Sequence, residues 1–246
     1  MQSTGGIIFK ERRKSDIGFQ IAIDGPAAAG KTTLAKTLAG ILGFVYVDTG
    51  ALYRAMGLYM IRAGVSTSDA EAVCRLCTEP DISIVYEGDA QKVMLDGEDV
   101  TELIRTPEIS MAASDVGAFP EVRARLVELQ QKIAEEADVV MEGRDICTCV
   151  LPDAQVKIYL TAMIGVRARR RHKELLLKGN KCTLDFVRED IINRDYQDMN
   201  RDVSPLRKAE DAVKINTTDM GPDDVVDAAM LVVRKAKREK RKKDGG

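Results

Sequence analysis

A chain of 246 residues with 45% apolar side chains can bury a substantial interior, as one large domain or a core with insertions. No run approaches the roughly 18 apolar residues that cross a bilayer, and the N-terminus lacks an apolar signal core, so a cytoplasmic protein with no membrane partner is expected. The formal charge of −2 hides an asymmetry: residues 234–246 carry eight basic and two acidic residues on an otherwise acidic chain, and that acidic body argues against a nucleic-acid-binding module.

Residues 1–18, polar and containing KERRK, read as a loosely ordered leader. Phe19–Asp24 is a short apolar run that reads as a buried strand, and Lys31–Leu42 carries apolar residues at helical spacing. Between them DGPAAAGKTT contains the spacing GxxxxGKT, and strand, loop, helix is the order a Walker A loop requires. In such a loop successive backbone N–H groups surround a polyphosphate, the lysine reaches its outer phosphates and the next hydroxyl helps hold magnesium. Gly25, Pro26, Ala27, Ala28, Ala29, Gly30, Lys31, Thr32 and Thr33 are therefore candidates for binding ATP, with Thr32 as the metal ligand.

Phe44–Val47 reads as a second strand feeding the helical DTGALYRAMGLYMIRAG. Further strands are expected at Asp138–Glu142, Val156–Thr161 and Ala212–Asn216. Strand and helix alternate over most of the chain, so the fold class is α/β, a parallel sheet flanked by helices. Two segments break the rhythm. Asp81–Val100 alternates apolar and polar residues around EGD and DGED, as a small antiparallel insert would. Val166–Asp202 is helical and rich in arginine, which suggests two helices around a flap with Gly179 and Asn180 at the bend. The basic end, 234–246, reads as a frayed, solvated helix end.

The five cysteines form an odd set, and no disulfide is expected. Cys74 and Cys77 make a CxxC, open to a metal or redox reading, but no second pair completes a zinc site and two apolar helix positions explain them better. His172 follows RARRR, a poor setting for a general base, and reads as a surface residue. Arginines are spread over every later segment, and their bidentate donors suit a reaction that spreads charge over a transferred phosphoryl group.

The ordered blocks IDGPAAAGKTT, DTGALYRA, DGEDV with IRTPEIS, AASDVGAFPEVR, EGRDICT, LPDAQVKIYL and INRDYQDMNRDVSPL resemble bacterial cytidylate kinases of the nucleoside monophosphate kinase family, from about Gln20 to Val233. The resemblance implies a P-loop nucleoside triphosphate hydrolase fold and transfer of phosphate from ATP, with Mg2+, to CMP or dCMP. It also implies a monomer with a kinase domain at 19–233, a nucleotide-binding insert near 80–105 and a lid near 166–202. By the same resemblance Lys31, Arg144, Arg194 and Arg201 are the catalytic set, and Arg167 and Arg170 reach toward ATP from the lid. Thr49, Arg54, Ser114, Arg123, Arg144, Asp145, Arg194, Asp198 and Arg201 would bind the acceptor. In that set Arg54, Arg144 and Arg201 grip its phosphate, and Ser114, Arg123 and Asp145 read cytosine. An alternative for Asp145 is simply to orient its neighbour Arg144.

The chain departs from the family where its loop reads AAAGKTT instead of a Ser-Gly start and a Gly after the Lys, with Thr32 restoring the Walker hydroxyl, where Glu142 replaces a frequent Asp, and where Cys147 and Cys149 flank Thr148. Near a phosphate and arginines, Cys147 is placed for a lowered pKa. Kinases acting on UMP, AMP, shikimate or dephospho-coenzyme A would share the core without Ser114, Arg123 and Asp145 together. A GTPase switch would need an NKxD element, which is absent.

Overall fold

The computed structural model describes residues 18–88 and 90–244, so the expected leader lies outside the described residues except for Gly18. Gly18 itself is packed: a Cβ on it would stand 2.5 Å from the carbonyl oxygen of Ala137. The described chain falls into two compact units, one of residues 20–43 and 140–244, the other of residues 44–139 with Gly18 and Phe19.

A five-stranded sheet has the order β2-β6-β1-β7-β8, where β1 is Gln20–Asp24, β2 Val45–Asp48, β6 Val139–Gly143, β7 Val156–Thr161 and β8 Val213–Asn216. In the first unit β1 pairs parallel with β7, Ile21 opposite Val156 and Asp24 opposite Tyr159, and β7 pairs parallel with β8. All five residues of β1 are buried, which is why QIAID shows no apolar–polar alternation. Four helices complete this unit: α1 (Lys31–Leu42), α6 (Ile164–Leu177), α7 (Leu184–Asn200) and α8 (Pro222–Asp244). Helices α6 and α7 fill the arginine-rich segment, and the connection between them carries Gly179 at φ +80°. The basic end belongs to a helix: α8 runs to Asp244, because 234–244 contains good helix formers and neither Gly nor Pro.

The second unit holds α2 (Thr49–Arg62), α3 (Ala70–Leu76), α4 (Pro107–Val116) and α5 (Pro120–Glu136) around a core that includes Leu52, Met56, Met60, Leu95, Ile104 and Leu126. Helix α2 meets α4 closely at Gly57, where a Cβ would come within 3.0 Å of the Ala112 methyl. The expected antiparallel insert is a three-stranded sheet of β3 (Ile82–Glu87), β4 (Ala90–Leu95) and β5 (Glu98–Asp99). Its β4–β5 turn is Asp96-Gly97, with φ of +50° and +81°, the paired left-handed conformation of a two-residue hairpin.

Candidate active site

Strand β1 delivers the chain into the loop Gly25–Gly30, and α1 begins at Lys31. Gly25 is required by contact, since a Cβ there would lie 2.0 Å from the Leu160 carbonyl oxygen. Ala28 sits at φ +58°, a left-handed conformation that costs an L-residue about 1–2 kcal/mol. Gly30, at φ +98°, caps α1, whose unpaired N–H groups and dipole favour an anion at this end.

Lys31 is only 6% exposed, and its ammonium donates to the Pro26 carbonyl oxygen at 2.9 Å. Burial first, and then the charge of Arg144, push its pKa from 10.5 down to about 7, with Glu142, Asp198 and Asp24 pulling the other way. Asp24 is fully buried at the end of β1 and accepts the N–H groups of Ile146 at 2.9 Å and Cys147 at 2.8 Å. It thereby ties the loop's entrance to the turn that follows Arg144 and Asp145. Burial raises the Asp24 carboxyl to about 6 despite those two donors.

The arginines of this unit are tethered by acids. Arg144 Nε meets Asp198 Oδ2 at 2.6 Å. Arg201 faces Asp145 at 3.6 Å and Asp198 at 3.8 Å, and donates to the Ser204 carbonyl oxygen. Asp145 thus stands beside Arg201, while its neighbour Arg144 is held by Asp198. Burial opposes the charge on Asp198, but Arg144 outweighs it and holds the carboxyl below its usual range. Arg194 differs: its Nε is buried and has no hydrogen-bond partner among the described residues, and burial followed by Arg144 presses its pKa down. A buried guanidinium N–H without an acceptor, beside another guanidinium, is a place prepared for an anion.

Arg167 and Arg170 are committed to protein groups around the loop. Arg167 Nη1 meets Asp195 Oδ2 at 2.6 Å and the Ala27 carbonyl oxygen at 2.9 Å, while its Nε donates to the Ala162 carbonyl oxygen. Arg170 donates to the Thr217 hydroxyl at 2.9 Å and the Thr217 carbonyl oxygen at 2.8 Å. Asp24, Asp195 and Thr217, all buried here, were not singled out by sequence reasoning. Asp24 and Asp195 did lie within the IDGP and INRDYQDMNRD blocks.

In the unit containing 44–139, Asp48 caps α2 through the Ala51 N–H and holds Arg54 at 2.8 Å. Burial works against the Asp48 carboxylate, and Arg54 outweighs it to keep the pKa low. Thr49 is buried in the first turn of α2. Ser114 on α4 donates to the Ser110 carbonyl oxygen at 3.3 Å. Arg123 on α5 is 3% exposed, donates to the Gly117 carbonyl oxygen at 3.2 Å and lies 5.4 Å from the centre of the Tyr53 ring. Arg54, Ser114 and Arg123 are each braced by a near neighbour on the chain or by an aromatic face.

Two smaller expectations are corrected. Burial, and after it the nearby Asp24 carboxylate, push the Cys147 thiol far up rather than down; its sulfur lies near the Ala22 and Ile158 carbonyl oxygens. His172 is half-buried and lies 2.9 Å from the Cys182 carbonyl oxygen, so it braces the connection between α6 and α7.

Among the described residues no group of three His, Cys, Asp or Glu side chains could hold a metal ion by itself. Thr32 at the start of α1 is exposed, and Glu142 on β6 in the same unit is buried. Also among the described residues, no helix is long and apolar enough to cross a membrane.

A parallel sheet whose first strand runs into a glycine-bounded loop over a buried lysine, with tethered arginines beyond it, defines a P-loop phosphotransferase. Residues 21–235 match the family model described as cytidylate kinase. A cytidylate kinase of Carboxydothermus hydrogenoformans is 47% identical over 214 residues, 87% of this chain and 96% of that protein. One of Caldanaerobacter subterraneus subsp. tengcongensis is 50% identical over 216 residues, 88% of this chain and 95% of that protein. The chain belongs to the cytidylate kinase family.

Proposed function

We propose that this enzyme transfers the γ-phosphate of ATP to CMP or dCMP, giving ADP and CDP or dCDP, as a cytoplasmic monomer. The observation that carries the proposal is the cation cluster of Lys31, Arg144, Arg194 and Arg201 beside a Walker loop, with one buried Arg194 N–H lacking an acceptor among the described residues. Family membership supports the choice of cytidine nucleotides.

On this reading the loop 25–33 holds the ATP phosphates and Lys31 bridges the outer two. Thr32 would hold magnesium, with Glu142 organising its water, and the ion neutralises charge on the β- and γ-phosphates. Arg54, Arg144 and Arg201 hold the acceptor phosphate, whose oxygen attacks in line. Such an oxygen is already a competent nucleophile, so positioning and charge neutralisation do most of the work and no covalent intermediate is needed. Arg194 and Asp198 serve near the acceptor ribose and the lid, and Thr49 near the base.

Base choice follows from hydrogen-bond direction. Cytosine presents an amino donor beside a ring-nitrogen acceptor, whereas uracil presents a carbonyl beside an N–H. We assign Asp145 to accept from the amino group, and Arg123 and Ser114 to the acceptor edge. Uracil would set a carbonyl against the Asp145 carboxylate, and an unpaired buried polar group costs about 1–3 kcal/mol. The test is a coupled assay with ATP and a panel of CMP, dCMP, UMP and AMP. CMP and dCMP should lead UMP by at least tenfold in kcat/KM, and Asp145→Ala should narrow that gap. A preference for UMP or AMP would refute the reading, and equal loss on both pyrimidines in Asp145→Ala would remove Asp145 from base recognition.

A further inference from the structure

Both backbone polar groups of Ala27, inside the Walker loop, are held by one buried ion pair from the arginine-rich helices. The Ala27 N–H donates to Asp195 Oδ1 at 3.0 Å, and its carbonyl oxygen accepts from Arg167 Nη1 at 2.9 Å. The same Nη1 closes on Asp195 Oδ2 at 2.6 Å. Asp195 and Arg167 are each 7% exposed, one on α7 and the other on α6, so the contact joins both helices to the loop. The next residue, Ala28, is one of three non-glycine residues with positive φ among the described residues, and it stands at φ +58°.

An L-residue in that conformation returns to the right-handed side unless its surroundings over-determine it. At Ala28 the restraint comes from both flanks: the ion pair fixes Ala27, and the Thr217 hydroxyl, 3.4 Å from the Ala29 carbonyl oxygen, braces Ala29. Were the loop to relax, the N–H groups that follow Ala28 would no longer converge on a phosphate. We propose that Asp195, acting through Arg167 and the Ala27 backbone, is a positioning residue that holds the phosphate loop in its binding conformation against the preference of Ala28. Asp195 touches no nucleotide, and a glycine at position 28 makes it largely dispensable.

The inference rests on the reading of 25–33 as the ATP-phosphate loop, and calorimetric titration with ATP and, separately, with CMP tests it. Asp195→Asn keeps the side chain's size and removes the charge that fixes Arg167. It should weaken ATP binding about tenfold, the ratio of conformers that the strain at Ala28 represents. Combined with Ala28→Gly, the same Asp195→Asn change should weaken ATP binding less than threefold. CMP binding should move less than threefold throughout. If Asp195→Asn unfolds the protein, as read by circular dichroism, Arg167→Lys replaces it. That variant keeps a positive charge beside Asp195 while losing the planar fork, and the same dependence on residue 28 is expected. An equal loss of ATP affinity with and without Ala28→Gly would overturn the proposal, as would an equal loss for CMP or no loss at all. A native chain that binds CMP but not ATP would overturn the donor-loop reading along with it, whereas native ATP binding with no dependence on residue 28 overturns this proposal alone.

Discussion

Lys31 should take up a proton when ATP binds. In the nucleotide-free protein its ammonium is buried, its hydrogen bond goes to the Pro26 carbonyl oxygen, and Arg144 adds repulsion, so its pKa falls from 10.5 to about 7. That drop corresponds to roughly 5 kcal/mol against the charged form. A triphosphate beside Nζ reverses the balance, because several negative charges face the ammonium in a site shielded from water. At pH 8 about nine in ten nucleotide-free molecules then hold a neutral lysine, so binding should draw in close to one proton; at pH 6 the uptake should be about a tenth of that. The terminal phosphate of ATP, with a pKa of about 6, is already ionised at pH 8 and contributes little. Calorimetry in buffers of differing ionisation enthalpy measures the uptake directly. If uptake at pH 8 is no larger in the native protein than in Lys31→Met, Lys31 is not the titrating group and its placement against the phosphates is wrong.

Further outcomes follow from the same structure. Because the folded-state pKa of Lys31 is depressed, the unfolded chain binds an extra proton between about pH 7 and 10.5, so its effect on stability rises with pH across that window. Lys31→Met should therefore raise the melting temperature of the nucleotide-free protein at pH 6 and change it little above pH 10; a rise independent of pH would count against the depressed pKa. Arg123→Met should raise the KM for CMP at least tenfold, and Ser114→Ala by several-fold for a loss of about 1 kcal/mol, with the KM for ATP little changed in either. Parallel rises in both KM values would argue against acceptor-specific roles. Deleting 234–246 should leave kcat and melting temperature nearly unchanged, since the buried residues of α8 are Val225, Ala229 and Val233. ATP and CMP together should shield 166–202 from limited proteolysis, and unchanged cleavage would refute closure of that segment.

The phosphate loop was legible because all of it is local: strand, glycine spacing, lysine and helix occupy one short stretch, and α1 spans Lys31–Leu42 as its periodicity predicts. The β3–β5 insert was legible for the same reason, through alternation and the Asp96-Gly97 turn. What holds the loop was not. Asp24 meets its donors 122 and 123 residues away, and Asp195 meets Ala27 at a separation of 168. A lone aspartate in a strand or helix gives no pattern from which such partners can be read. Arg167 illustrates the converse: an arginine on a charged helix reads as a ligand for phosphate, yet its Nη1 and Nε are occupied by the Asp195 carboxylate and two carbonyl oxygens. The basic end was legible as a solvated helix end: 234–242 holds no buried residue, and α8 continues through it because the segment is made of good helix formers.

The unit that carries the phosphate loop is discontinuous, with residues 20–43 at one end of the chain and 140–244 at the other. On the ribosome, β1 emerges early with no partner, because its neighbour β7 lies about 135 residues downstream, as Gln20 and Gln155 mark. At about 5–20 residues per second that wait is on the order of ten seconds, during which a strand that is fully buried in the finished fold has an unpaired edge. Residues 44–139, by contrast, emerge as one uninterrupted stretch and can assemble their own core first. Synthesis thus completes the acceptor-side candidates Thr49, Arg54, Ser114 and Arg123 before β7, whose Leu160 carbonyl packs on Gly25, exists. Nascent chains arrested once residue 139 has cleared the exit tunnel should resist protease across 44–139 while remaining open to cleavage at 20–43.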